Sequence, residues 1–143
     1  MAANTEGDAV DKEEVVPMLS DYPVHPTLPA SDIERAKQFY SEKLGLVPDT
    51  DLPAGVFYRC GGGTRFLVFP SQGTPSGTHT QMGWQVEDID AVVADLTGKG
   101  VVFQEYDTPN LKTVNGVANL GPLKAAWFND SEGNLIGLVQ FLQ

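Results

Sequence analysis

The stretch Ser31-Asp32-Ile33-Glu34-Arg35-Ala36, continued by Phe39-Tyr40 and by Lys43-Leu44-Gly45-Leu46, decides the fold. It reads as one helix with its punctuation in place. Ser31 and Glu34 have the spacing of a capping box. Ile33, Ala36, Tyr40 and Leu44 fall near one face. Gly45 suits the left-handed residue that ends a helix. A second helix opens at Glu87-Asp88-Ile89-Asp90, carries Ile89, Val92, Val93 and Leu96 as its apolar stripe, and closes at Gly98-Lys99-Gly100. Asp32 and Asp88, Ile33 and Ile89, and Lys43 and Lys99 are each 56 residues apart. Three matches in register indicate a duplicated unit.

The flanks repeat as well. A strand-like segment precedes each helix, Tyr22–Leu28 before the first and Thr80–Val86 before the second. A hairpin-like pair follows each. The first is Val56–Cys60 and Thr64–Phe69 around Gly61-Gly62-Gly63; the second is Ala125–Phe128 and Asn134–Phe141 around Asn129–Gly133. Glycine-rich turns between β-rich runs are hairpin signals. A further strand is expected near Val47–Leu52 and near Val101–Glu105. Each half thus reads βαβββ. The main asymmetry is Tyr106–Lys124, read as a long loop of the kind that often serves as a lid, in which Lys112 and Lys124 bracket the stretch Asn115–Pro122.

Charge divides the chain differently. The net charge is −10, and residues 1–21 hold six acids against the single base Lys12, which is half of it. With little apolar patterning, residues 1–21 are expected to form a flexible acidic tail. Residues 22–143 are expected to form one domain, with modules of about 22–73 and 79–143. The body carries no basic stripe, which argues against nucleic acid, and the negative balance disfavours an anionic membrane surface. No apolar run approaches the roughly 20 residues that span a bilayer. The start lacks the pattern of a secretory signal, so a cytoplasmic location is expected. One cysteine, Cys60, cannot form an internal disulfide.

The duplicated βαβββ pattern resembles the vicinal oxygen chelate superfamily, which includes glyoxalase I, fosfomycin and bleomycin resistance proteins and extradiol dioxygenases. The residues that carry the resemblance are Ser31–Ala36 with Phe39-Tyr40 and Leu44-Gly45, and Asp130-Ser131-Glu132-Gly133-Asn134 before the last strand. The resemblance implies an α+β fold. Its two modules would curl into an open, cup-shaped, eight-stranded mixed sheet with the helices outside. Alternation along strands then sends Met82, Trp84 and Val86 toward the helices, and His25, Thr27, Gln81, Gly83 and Gln85 into the cup.

The resemblance also implies where a divalent metal (Zn, Ni, Mn or Fe) would be held. Matched on the helix entries, the first ligand positions fall on His25 and Gln81, again 56 apart. The carboxylate position of the last strand falls on Gly137, and its counterpart in the first half on Leu67. Neither can donate. His79, two residues before Gln81, is the other imidazole on offer. Two neutral donors balance no charge on a metal, and catalytic zinc usually has three protein ligands.

Other side chains suggest an organic ligand. Arg59 and Arg65 flank the triple-glycine turn; facing each other, they would need an anion or an acidic group between them. Tyr106 on the long loop and Phe128, placed toward the cup, are the aromatic contacts expected to grip a flat molecule. Cys60 has no histidine near it in sequence to activate it. The favoured reading is a small-molecule-binding protein, bleomycin-resistance-like, with its ligand in the cup and no complete metal site. One alternative is a metal-dependent glyoxalase-, isomerase- or dioxygenase-type enzyme using His25, Gln81 and a third ligand. Another is a non-catalytic dimerising domain. The resemblance implies a homodimer in each case.

Overall fold

The computed structural model describes residues 16–142. Most of the expected acidic tail therefore lies outside the described residues. Within the tail's last stretch, Leu19–Asp21 form a single 3-10 turn. The first half consists of β1 (Thr27–Ala30), α1 (Ile33–Glu42), β2 (Pro48–Leu52), β3 (Gly55–Arg59) and β4 (Arg65–Pro70). The second consists of β5 (Thr80–Gln85), α2 (Ile89–Gly98), β6 (Asp107–Thr108), β7 (Leu111–Val114), β8 (Val117–Asn119), β9 (Leu123–Asn129) and β10 (Leu135–Phe141).

The helices start alike because their caps are alike. Asp32 accepts the amide of Arg35, and Asp88 accepts the amide of Ala91. These caps are 56 residues apart, as the repeat requires. The cap of α1 is thus Asp32 rather than Ser31, whose hydroxyl donates instead to Glu132. At the other end Gly45 takes a φ of 71°, which lets Leu46 N–H fold back onto the Tyr40 carbonyl.

Two open mixed sheets result, ordered β1-β4-β3-β2 and β5-β10-β9-β8-β7-β6. The fold class is the expected α+β one, but ten strands in two sheets replace eight in one. The extra strands come from the segment read as a long loop. Tyr106–Lys124 folds into a meander, turned at Asn115-Gly116, which both take positive φ between the paired Val114 and Val117. The strand expected at Val101–Glu105 is reduced to one bridge, Phe103 with Phe128. β8 pairs with β9 further along, at Ala118–Ala125 and Asn119–Lys124.

One core serves both halves. Leu28, Val56, Tyr58, Phe66 and Val68 from the first sheet join Met82, Ala126, Phe128, Ile136 and Leu138 from the second beneath Ala36, Tyr40, Ile89 and Val93 of the helices. The C-terminal ends of the helices meet, with Lys99 Nζ beside Gly45 and Lys43 Nζ beside Gly100. Where the sheets meet, the edges of β1 and β5 face each other across a seam, with the chains in opposite directions. Val24 and Pro26 line one crevice with Gln85 and Glu87, while the Pro29 carbonyl accepts from Asn134, next to the start of β10 and β5. Among the described residues no backbone hydrogen bond joins β1 to β5.

The seam is instead held by side chains of the β9–β10 hairpin. Glu132 takes Arg35 at 2.8 Å, the Asp32 amide at 3.0 Å and the Ser31 hydroxyl. Arg35 holds this shielded carboxyl at about 2, well below the usual 4.5. Asp130 is buried and accepts from Tyr40 Oη at 2.7 Å and from Asn134 Nδ2 at 2.9 Å. The acids of Asp130–Asn134 therefore join the two halves.

Candidate functional site

Alternation leaves one face of each sheet free of helices. On the second sheet, Ala126 and Phe128 of β9 go into the core, so Ala125 and Trp127 face the other way. Phe128 is completely buried and edge-on to Phe103. The expectation that it contacts a ligand is corrected: its neighbour Trp127 occupies the helix-free face. Trp127 pairs with Gly137 across the strands, and Gly137 pairs with Gly83 on β5. The indole Nε1 donates to Thr80 Oγ1 at 3.1 Å. A Cβ on Gly137 would lie 3.2 Å from Thr80 Cγ2 and 3.6 Å from the Trp127 ring. Tyr106 stands edge-on to Trp127, with centroids 5.5 Å apart. Its amide is held by Thr113 Oγ1 at 2.8 Å. An indole and a phenol at right angles beside two bare glycines make a surface suited to a flat apolar molecule.

The first sheet presents a different surface. Arg59 and Arg65 are direct cross-strand partners. The acidic group between them is Asp49, 3.2 Å from Arg59 and 3.6 Å from Arg65, a residue the sequence reading did not single out. Arg65 also lies over the Phe57 ring at 4.1 Å, and His25 meets the same ring edge-on. His25 and Thr27 are exposed on this side. Lys112 and Lys124 are paired with Asp107 and Asp90 rather than hinging a lid.

The metal-ligand positions can be tested against this geometry. The registers match Thr27–Leu67 with Gly83–Gly137, which makes Leu67 and Gly137 equivalent, and neither has a donor atom. Because β1 and β5 are antiparallel, His25 lies at the Gln85 end of the seam and Gln81 at the Pro29 end. Four residues of strand, roughly 13 Å, separate the two levels. His79 is engaged by Ser76 through Nδ1 in an exposed turn. Gln81 falls at a bulge, where Thr80 and Met82 face the consecutive residues Leu135 and Ile136. Its Oε1 is shielded from solvent and has no hydrogen-bond partner among the described residues. Among those residues, no three His, Cys, Asp or Glu side chains are grouped to hold a metal ion. The residues present do not fit a resident divalent metal within one chain. No helix among them is long and apolar enough to cross a membrane.

Comparisons with known proteins agree with this architecture. A family model described as the Glyoxalase/Bleomycin resistance protein/Dioxygenase superfamily matches residues 23–138. Among solved structures, UcmS2 superposes with a TM-score of 0.66 at 20% identity, covering 82% of this chain and 96% of that one. TnmS3, an antibiotic binding protein from Streptomyces sp. CB03234, superposes with a TM-score of 0.60 at 27% identity, covering 87% and 99%. A glyoxalase/bleomycin resistance protein/dioxygenase from Nocardioides gives 0.62 at 17% identity, covering 95% and 93%. No curated protein sequence matches.

Proposed function

Since the chain belongs to the Glyoxalase/Bleomycin resistance protein/Dioxygenase superfamily, we propose that it is a small-molecule-binding protein of the bleomycin-resistance type, holding an organic ligand on its helix-free face without a resident metal. The observation that carries this reading is the Trp127 indole, bonded to Thr80 and covering Gly137, where the resemblance looks for a carboxylate. An aromatic ring there offers stacking area and no negative charge. The similarity to an antibiotic binding protein supports the same class of ligand. Tyr106 joins Trp127 in the contact, and Gln81, with its unsatisfied Oε1, and Gln85 flank it on β5. His25, Thr27, Arg59 and Arg65 form the corresponding surface of the first sheet.

A homodimer goes with this reading. One chain holds its His25 and Gln81 levels apart, and a second copy would set the first sheet of one protomer against the second sheet of the other. A cytoplasmic location also goes with it, Cys60 being a free thiol.

The test is a thermal-shift screen of planar aromatic compounds, followed by fluorescence titration of each stabilising compound. A ligand present at 100 times its Kd raises stability by about 2.7 kcal/mol. The expected result is a ligand whose affinity drops at least tenfold in Trp127→Ala, together with substoichiometric metal in untagged protein. Stoichiometric metal lost in His25→Ala, or the absence of any stabilising compound, would overturn the proposal.

A further inference from the structure

The two halves of the seam are equivalent by the repeat but are not filled alike. The β9–β10 hairpin closes one half, where the Asn134 carboxamide donates to the Pro29 carbonyl at 3.0 Å. The registers relate Pro29 to Gln85 and Asn134 to Thr64. They likewise relate Asp130 and Glu132 to Cys60 and Gly62. The β3–β4 hairpin therefore has none of the side chains that lock the other half. The Gln85 backbone points toward the seam, because the neighbouring Val86 amide is the one that bonds β10, through the Val139 carbonyl. No backbone group among the described residues bonds the Gln85 carbonyl across the seam. In place of a lock there is a crevice of about 620 Å³, lined by Val24, Gly61, Arg65, Trp84, Gln85 and Glu87 among others. A Cβ added at Gly61, Gly62 or Gly63 would touch nothing within 4 Å.

We infer that this half-seam is a ligand site separate from the Trp127 surface, and that it takes a small apolar molecule bearing a primary carboxamide. The locked half supplies the chemistry. There a carboxamide N–H satisfies the open-edge carbonyl of β1, and the same donor from a ligand satisfies the equivalent carbonyl of β5. Val24 and Pro26, with the edge of Trp84, line the part of the crevice that receives the apolar body. An acceptor-only ligand leaves the Gln85 carbonyl buried and unpaired, which costs affinity.

The test is a proton–nitrogen NMR titration of the full chain with benzamide, and with N,N-dimethylbenzamide, which has no N–H. Benzamide is expected to give saturable shifts at Gly61, Thr64 and Glu87, which line the crevice and not the Trp127 face, and the dimethyl compound to bind at least fivefold more weakly. Gly61→Phe is expected to abolish the shifts. Gly61 has no left-handed φ and open space beside it, so the larger side chain plugs the crevice without straining the turn. Trp127→Ala is expected to leave benzamide binding unchanged, which separates this site from the proposed ligand face. Equal affinity for the two amides, shifts confined to the Trp127 face, or no saturable shift would each overturn the inference. The comparison of the two amides needs no variant.

Discussion

Trp127 Nε1 reaches Thr80 Oγ1 at 3.1 Å from two strands away, because Gly137 on the strand between them has no side chain. The glycine is thus a packing requirement as well as a missing ligand. Gly137→Glu restores the carboxylate that the resemblance looks for, but its Cβ meets Thr80 at 3.2 Å and must displace the ring. Such overpacking is expected to destabilise the protein by about 1–3 kcal/mol in urea unfolding. The variant is expected to purify with no more metal than the parent, as read by elemental analysis, since His25 and Gln81 remain at opposite ends of the seam.

Trp127 and Phe128 are consecutive yet face opposite ways, so their variants should separate ligand binding from stability. Phe128 is completely buried. Phe128→Ala is expected to cost about 3–5 kcal/mol of folding free energy while leaving the ligand affinity of the folded fraction unchanged. Trp127→Ala is expected to do the reverse, costing about 1.4 kcal/mol or more of binding, a tenfold weaker Kd. Unfolding curves and titrations on both variants check this. Loss of affinity in Phe128→Ala with full affinity in Trp127→Ala would reverse the assignment of faces.

Glu132 should make the junction of the two halves sensitive to acid. Its folded-state value is about 2 against an ordinary 4.5, because Arg35 donates to it. The unfolded chain therefore takes up the proton first as pH falls. The stabilisation is complete above about pH 4.5 and drains away toward pH 2. Glu132→Gln is expected to lose about 2 kcal/mol at pH 7, allowing for the half-exposed Arg35, and to flatten the stability profile in that window. Denaturant unfolding at a series of pH values measures both.

Much of this was legible in the sequence, for identifiable reasons. The 56-residue offset is physically real, since Asp32 and Asp88 each cap their helix by the same hydrogen bond. Alternation placed Met82 and Trp84 with the core because β5 is regular beyond Gln81. It misplaced Phe128, whose facing depends on which residue of β9 pairs with β10, a register that a five-residue turn leaves open. Asn115-Gly116 was the strongest two-residue turn signal in the chain. Read as part of a loop, it concealed the β7–β8 hairpin. The partners of Glu132 lie about 100 residues away, at Ser31 to Arg35. No local pattern encodes that contact. Asp49 was invisible for the same reason, since β2 brings it to Arg59 and Arg65 only through the sheet.

Tyr40 tests whether the buried contact between α1 and the last hairpin matters independently of the Arg35 ion pair. Its hydroxyl donates to Asp130 Oδ2 at 2.7 Å, with both groups out of solvent. Tyr40→Phe preserves the ring packing against Tyr58 and Phe66 and removes only the donor. Asp130 keeps three donors, the Glu132 amide, the Asn134 amide and Asn134 Nδ2. The carboxylate is therefore not orphaned, and a hydrogen bond to a charged group accounts for the loss, about 1.5–3 kcal/mol. Burial, with Asp130 alongside, raises the phenol's pKa well above 10. The contribution of Tyr40 is thus complete below about pH 10 and fades only as pH rises through the elevated value. The difference between parent and variant is expected to stay constant from pH 5 to pH 9, unlike that of Glu132→Gln at low pH. Unfolding measurements on Tyr40→Phe, Glu132→Gln and the double variant would also show whether the two contacts add. They share the Asp130–Asn134 hairpin, so the combined loss is expected to depart from the sum of the two by about 0.5 kcal/mol or more.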